Sequence, residues 1–288
     1  MSNRFRLREV RALIIDMDGT LFRGPIPLPG LQRFFSFLHA QRISFVVVSN
    51  NTTKTASEYQ RLLASQGIQI QVDEILTAAA ATATFLVDEL GTGASLYVIG
   101  EPALHEVLRQ TGFKLLHDAS QAADAVVVGG DSTLTYDKLK YAALLLQRGV
   151  RLVGTNPDLL CPTEEGLVPE AGTTLSALQA ATGISPTVIG KPSRPLFDLA
   201  IRRLGSHRIE TAVLGDRLET DIQGGQQAGL RTVLVTTGID DEGTIRQKGI
   251  EPDLVVDGLD MLVDLWESAS AQSVRIQRSD QEAMNEDP

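Results

Sequence analysis

Ten residues, Ala12 to Leu21, constrain this chain more than any others. Ala12-Leu13-Ile14-Ile15 is a short apolar run that reads as a buried strand of a parallel sheet. It runs into Asp16-Met17-Asp18-Gly19-Thr20, so two carboxylates one residue apart stand at the strand's carboxyl end, just before a glycine turn. Open α/β sheets bind their ligands beyond that edge. Close carboxylates repel one another unless a cation joins them. Mg²⁺ suits such a pair because it takes one or two carboxylates and keeps its other positions for water and substrate phosphate. A strand that simply stops in an Asp/Gly turn has the same local sequence, so these residues alone leave both readings open.

The rest of the chain narrows the choice. Its 288 residues suffice for one large domain or two ordinary ones, and 43% of them are hydrophobic, enough for real cores. A net charge of -10 excludes the basic surface that nucleic-acid phosphates require, while leaving room for a local cationic pocket. The single cysteine, Cys161, excludes an intrachain disulfide framework and fits a reducing compartment. With Leu167 six residues on instead of arginine, Cys161 is not placed as a phosphatase thiolate and reads as a buried structural thiol. The apolar run after the basic N-terminus is too short for a signal peptide, and no later stretch is long enough to span a bilayer. A cytoplasmic protein is expected.

In chain order, Phe22 to Gly30 holds three prolines and two glycines and is expected to be a stiff irregular loop, followed by a helix over Leu31–Gln41. Ile43 to Val48 reads as a second buried strand, ending in Ser49-Asn50-Asn51-Thr52-Thr53 ahead of a helix from about Thr55. That polar cluster suits a phosphate oxygen, through the Ser49 hydroxyl and free N–H groups, and suits an N-cap equally well. From Ala78 the texture changes to an alanine-rich helix. Further strands at 94–100, 125–130 and 150–154 and a helix from Tyr136 make a second α/β unit inserted into the first, running to about Gly183. Its polar loops, Asp131 to Thr133, Thr155 to Asp158 and Glu170 to Thr174, read individually as turns and caps; together they are where a substrate-selecting surface would lie. Thr187-Val188-Ile189 is a short strand leading to Gly190-Lys191-Pro192. It lacks the Gly and Ser/Thr positions of a nucleotide-binding phosphate loop, which leaves Lys191 a lone cation at a strand end. Thr211 to Gly215 is another strand that stops at an acid, Asp216, with Asp221 five residues on. Strands at 230–235 and 253–256 and a helix near 261–266 complete the fold, and a polar, aperiodic tail over residues 271–288 is expected to be disordered.

Each site is weak alone, yet all four fall at carboxyl ends of strands assigned to one parallel sheet and so would face one crevice. Carboxylates to hold a hard divalent ion, with a lysine, a hydroxyl and N–H donors to hold phosphate, are what phosphoryl transfer needs. Asp16-x-Asp18-Gly19-Thr20-Leu21, Ser49-Asn50, Gly190-Lys191-Pro192 and Gly215-Asp216-x4-Asp221, in this order, resemble the four motifs of the haloacid dehalogenase superfamily. The large insertion between the second and third resembles that of its subfamily IIA, the p-nitrophenylphosphatase and nucleotidase branch.

The resemblance implies a doubly wound, Rossmann-like α/β core over residues 1–78 and 185–270 with an α/β cap over 79–184. It also implies an Mg²⁺-dependent phosphatase of small phosphorylated metabolites. On that likeness Asp16 is the nucleophile, forming an aspartyl-phosphate, and Asp18 the general acid and base. The Asp16 carboxylate, the Asp18 carbonyl and Asp216 hold the metal, and Asp221 orders its surroundings. Ser49, Asn50 and Lys191 grip the phosphoryl group, and Asn156, Gly172 and Thr173 of the cap are candidates for choosing the substrate. A homodimer through exposed apolar cap surface is compatible with the sequence. A phosphotransferase using the same aspartyl-phosphate, or a silent binding protein on the same scaffold, are the alternatives; four intact acid and lysine positions argue against the second.

Overall fold

A computed structural model describes residues 6–163 and 165–269. In chain order the elements are β1 (Ala12–Asp16), β2 (Phe22–Arg23), β3 (Ile26–Pro27), α1 (Leu31–Gln41), β4 (Ser44–Ser49), α2 (Ala56–Ser65), β5 (Ile75–Thr77) and α3 (Ala78–Leu90). Next come β6 (Ser95–Ile99), α4 (Pro102–Gln110), β7 (Lys114–Leu116), β8 (Ala125–Val128), α5 (Tyr136–Leu146), β9 (Arg151–Gly154), β10 (Leu160–Thr163), β11 (Gly166–Pro169) and α6 (Ala171–Thr182). The remainder is β12 (Thr187–Val188), α7 (Arg194–Leu204), β13 (Thr211–Gly215), α8 (Gly224–Gln227), β14 (Arg231–Val235), α9 (Glu242–Lys248) and β15 (Leu254–Val256), with a last helix over residues 259–269. The fold is α/β with mostly parallel strands, as the alternation of apolar runs and helical periods predicts.

The described residues form two compact units, 6–46 with 66–68 and 201–269, and 47–65 with 69–163 and 165–200; β4 and α7 carry the chain from one to the other. In the first unit four strands run side by side as β15-β14-β13-β1, all parallel, with Ile14 opposite Val213 and Val213 opposite Thr232. Every residue of β1 and β13 is buried, which is what a strand covered on both faces requires of its sequence. Helix α1 buries Leu31, Phe34, Phe35, Phe37 and Leu38 along one side and holds the predicted bounds. Gly30, at φ +81°, precedes it because a Cβ there would lie 2.7 Å from Asp260 Cγ.

In the second unit β4 pairs with β5 in parallel, and a five-stranded parallel sheet runs β12-β9-β8-β6-β7. Its core joins Tyr97, Ile99, Val126, Val128 and Leu152 of the sheet to Leu145, Leu146, Leu175 and Leu178 of α5 and α6.

Several expectations are corrected. The Phe22 to Gly30 loop contains a small hairpin, Phe22 opposite Pro27 and Arg23 opposite Ile26; proline is tolerated there because two-residue edge strands leave most N–H positions unused. The strand before Lys191 is not in the sheet of β1: β12 pairs with β9, at the edge of the five-stranded sheet. A two-residue strand has too little pattern to declare its neighbour. Gly172, Thr173 and Thr174 are not loop residues but the first turn of α6, which starts at Ala171 after Glu170 as N-cap. Cys161 is half-buried in β10, one arm of a hairpin with β11, and not a core thiol. The tail expected to be disordered lies outside the described residues.

Candidate active site

The acidic centre belongs to the first unit. In an unbroken strand residues i and i+2 share a face, but β1 stops at Asp16. The N–H groups of Leu21 and Phe22 both donate to the Met17 carbonyl, and Gly19 N–H donates to the Phe22 carbonyl at 2.6 Å. The reversal buries Asp16, at 7% exposure, and leaves Asp18 exposed. Gly19 has φ +92°, and a Cβ there would lie 2.2 Å from Asp216 Oδ2, so both conformation and space demand glycine.

Asp216 follows β13 and is fully buried. Asp221 is also fully buried, on a π-helical segment Leu218–Gln223, where Arg217 N–H donates to its Oδ2 at 3.1 Å. Gly215 allows this approach, since a Cβ there would come within 2.3 Å of Asp221 Cγ. Asp16, Asp216 and Asp221 each offer a carboxylate oxygen, and these oxygens lie within 4.8 Å of one another. At an effective dielectric of about 20, two unit charges at that spacing repel by about 3 kcal/mol. A divalent cation reverses the sign of that energy. Three hard oxygen donors are the chemistry Mg²⁺ or Ca²⁺ accepts, so the residues fit the expected metal. The acidic centre thus includes Asp221, expected around the ligands, while the Asp18 carboxylate lies outside the cluster.

Ser49, Asn50 and Lys191 belong to the second unit. Ser49, at the end of β4, is 2% exposed; its Oγ accepts from Asn51 N–H at 3.1 Å and lies 3.4 Å from the Tyr59 hydroxyl. Helix α2 is capped by others: Glu58 N–H donates to Thr55 Oγ1, and Thr55 N–H donates to Glu58 Oε2 at 2.7 Å. The polar cluster after β4 is therefore not spent on capping. The Asn50 side chain bridges the Lys191 backbone, with Lys191 N–H donating to Oδ1 at 2.8 Å and Nδ2 donating to the Lys191 carbonyl at 2.9 Å. Lys191 is 2% exposed, against the ordinary expectation for a lysine.

The candidate specificity residues divide. Asn156 is 1% exposed, and its Nδ2 donates to the Asn50 carbonyl at 2.9 Å, while Asn50 Nδ2 also donates to Asp158 Oδ2 at 3.0 Å. Asn156 therefore joins the Asn50–Lys191 pair. Gly172 and Thr173 instead fasten the start of α6 to the preceding loop. Gly172 N–H donates to the Asp158 carbonyl, a Cβ at Gly172 would lie 2.2 Å from the Pro157 carbonyl, and Thr173 Oγ1 donates to the Leu159 carbonyl at 2.6 Å. Nearby, burial pushes the Glu170 carboxyl up from its ordinary value; a hydrogen bond from Asn156 opposes this, and Asp158 and Glu101 add to it.

Sequence reasoning missed Tyr59 and the loop after β14. Thr237, Gly238, Ile239 and Asp240 of that loop meet Gly19 and Asp216. The available signal was Gly238, three residues past a buried strand's carboxyl end.

Two family models match the chain: haloacid dehalogenase-like hydrolase over residues 13–114 and HAD-hydrolase-like over residues 188–262. Acid sugar phosphatase of Staphylococcus aureus is 34% identical over 246 residues, covering 85% of this chain and 94% of that protein. The structure of a p-nitrophenyl phosphatase from Archaeoglobus fulgidus matches with a TM-score of 0.84 at 33% identity, covering 88% of this chain and 98% of the other. A glycerol phosphate phosphatase from Mycobacterium tuberculosis, in complex with calcium, matches with a TM-score of 0.81 at 32% identity, covering 90% and 76%. This chain belongs to the haloacid dehalogenase-like hydrolases, in subfamily IIA, and is a phosphomonoesterase of that family.

Proposed function

We propose that the protein hydrolyses small phosphorylated metabolites, sugar and polyol phosphates in particular, with Mg²⁺ as cofactor and an aspartyl-phosphate on Asp16 as intermediate. The observation that carries this reading is the gathering of three buried carboxylates, Asp16 among them, within 4.8 Å. The sugar phosphatase and glycerol phosphate phosphatase relatives support the substrate class.

Asp16, Asp216 and the Asp18 carbonyl would hold the metal, with Asp221 beside them. Bound there, the cation supplies charge neutralisation for an anionic nucleophile meeting an anionic substrate. An Asp16 carboxylate oxygen attacks phosphorus, and the bond from phosphorus to the leaving oxygen breaks. The exposed Asp18 carboxyl gives its proton to that leaving oxygen. Asp18, now a carboxylate, takes a proton from water; the water oxygen attacks phosphorus, the Asp16–phosphorus bond breaks, and phosphate leaves. Ser49 Oγ, the Asn50 N–H and Lys191 Nζ grip the phosphoryl oxygens in both steps. Asn156, bonded to Asn50, is the cap residue best supported as a contact for the rest of the substrate.

Residues 79–184 act in this reading as a substrate-selecting cap inserted into a core of residues 1–78 and 185–270, in a cytoplasmic enzyme that pairs as a homodimer. Among the described residues no helix is long and apolar enough to cross a membrane. The test is Asp16→Asn, expected to lower phosphate release from a panel of sugar and polyol phosphates by about 10⁴-fold while leaving the circular dichroism spectrum unchanged. Turnover retained within tenfold overturns the nucleophile assignment. Phosphate release by the wild type without any added acceptor separates hydrolysis from phosphoryl transfer.

A further inference from the structure

We propose that the loop Thr237–Asp240 is a positioning clamp for the acidic centre, and that the Thr237 hydroxyl sets the protein's affinity for its divalent cation. The inference rests on the metal reading given above. Four successive residues of this loop meet the centre, one at the Gly19 turn and three at Asp216. Thr237 Oγ1 donates to the Gly19 carbonyl at 2.7 Å, on the turn that carries Asp18. Gly238 lies so close to Asp216 that a Cβ there would stand 1.8 Å from Oδ2. Ile239 N–H donates to Asp216 Oδ2 at 2.9 Å, and Asp240 N–H donates to the Asp216 carbonyl at 3.1 Å. The Asp240 side chain, 2% exposed, accepts from Leu218 N–H at 2.7 Å, at the start of the π-helical segment that carries Asp221.

Apolar burial contributes little to holding the loop. Gly238 is exposed and Ile239 is 59% exposed, so Asp240 alone of Gly238, Ile239 and Asp240 is buried. Its place is therefore set by hydrogen bonds, and all but two of those named here end on the segments that carry Asp18, Asp216 and Asp221. The two others support the clamp from outside: Arg23, on β2, donates to the Thr237 carbonyl at 2.6 Å, and Lys248, on α9, donates to Asp240 Oδ1 at 2.8 Å. A cation that prefers near-ideal octahedral geometry is sensitive to small displacements of its ligands. A loop that fixes the Gly19 turn and Asp216 against one another removes that freedom before the metal arrives, which raises affinity without adding a ligand.

Thr237→Val keeps the shape of the side chain and removes only the hydroxyl; Thr237→Ser keeps the hydroxyl. Calorimetric titration of the metal-stripped full chain with Mg²⁺ is expected to show a dissociation constant raised about fivefold to tenfold for Thr237→Val, the scale of one lost hydrogen bond. Thr237→Ser is expected to stay within twofold of the wild type. At saturating Mg²⁺ the kcat and KM of Thr237→Val return to wild-type values, a recovery that general destabilisation would not produce. Gly238→Ala reaches the same clamp through another atom and is expected to weaken Mg²⁺ binding at least tenfold with an unchanged circular dichroism spectrum. Wild-type affinity in a folded Thr237→Val, or in a folded Gly238→Ala should Thr237→Val not fold, overturns the clamp alone. A wild-type protein that takes up no Mg²⁺ overturns the cofactor reading and this inference with it.

Discussion

At the scale of single residues, environment separates groups that are chemically alike. Asp16 and Asp18 are both aspartates two positions apart, yet the turn at Met17 to Phe22 buries one and exposes the other. A buried carboxylate among carboxylates suits a cation, whereas an exposed one meets the solvent, which is what the proton-transfer role proposed for Asp18 requires. Glu170 shows the opposite use of burial. Its carboxyl is pushed above the ordinary 4.5 by desolvation first, with Asp158 and Glu101 repelling its charge and the Asn156 hydrogen bond opposing both. The folded state then holds this proton more tightly than the unfolded chain does. Below 4.5 both states are protonated and nothing is lost; as pH rises past 4.5 the unfolded chain ionises first, so this group subtracts stability at neutral pH. Glu170→Gln is accordingly expected to raise the melting temperature at pH 7 and to leave it unchanged near pH 4. Thermal melts of both proteins across that range provide the check, and a loss of stability at pH 7 contradicts the account.

At the scale of elements, caps decide which polar residues remain available for chemistry. Helix α2 is started by the reciprocal Thr55–Glu58 bonds, and the two hydrogen bonds from Thr55 to the Glu58 carboxylate hold that group below its ordinary value. Ser49 and Asn50 are thereby left to the strand end. Thr55→Ala is expected to cost about 1 kcal/mol in chemical denaturation; Ser49 and Asn50, proposed to bind phosphate, keep their own bonds, so kcat should not change. A tenfold fall in kcat would show instead that the helix start and the phosphate site are one unit. Helix α3 starts in the same manner, Thr77 Oγ1 accepting from Ala80 N–H at 3.2 Å, and its Thr-then-alanine sequence made that boundary readable in advance. The two-residue strands β2, β3 and β12 were not readable so, because two residues carry no period.

At the scale of the whole molecule, the cost of assembling the acidic centre falls on the stability of the chain. Three buried carboxylates within 4.8 Å oppose folding until a cation joins them. Mg²⁺ is therefore expected to raise the melting temperature of the metal-stripped protein, with a stabilisation of about 2.7 kcal/mol once free Mg²⁺ reaches about 100 times its dissociation constant. Differential scanning calorimetry with and without chelator measures this, and identical transitions would count against a metal held by these three residues. The α/β class, the bounds of α1, the start of α3, and the acidic strand ends at Asp16 and Asp216 were determined by the sequence itself. Apolar runs, helical periods and Asp-Gly breaks are local signals that survive without any fold. Only the tertiary structure decided that β12 joins β9, that Asn50 clasps the Lys191 backbone, that Asp221 stands among the buried carboxylates, and that Thr237 to Asp240 hold the centre together. Each of those depends on residues far apart in the chain, and most of them join a side chain or strand to backbone groups that every amino acid carries, so no residue type announces them. The physical reason is the same throughout: side-chain pattern is written along the sequence, whereas bonds and contacts between distant residues exist only once the chain has closed.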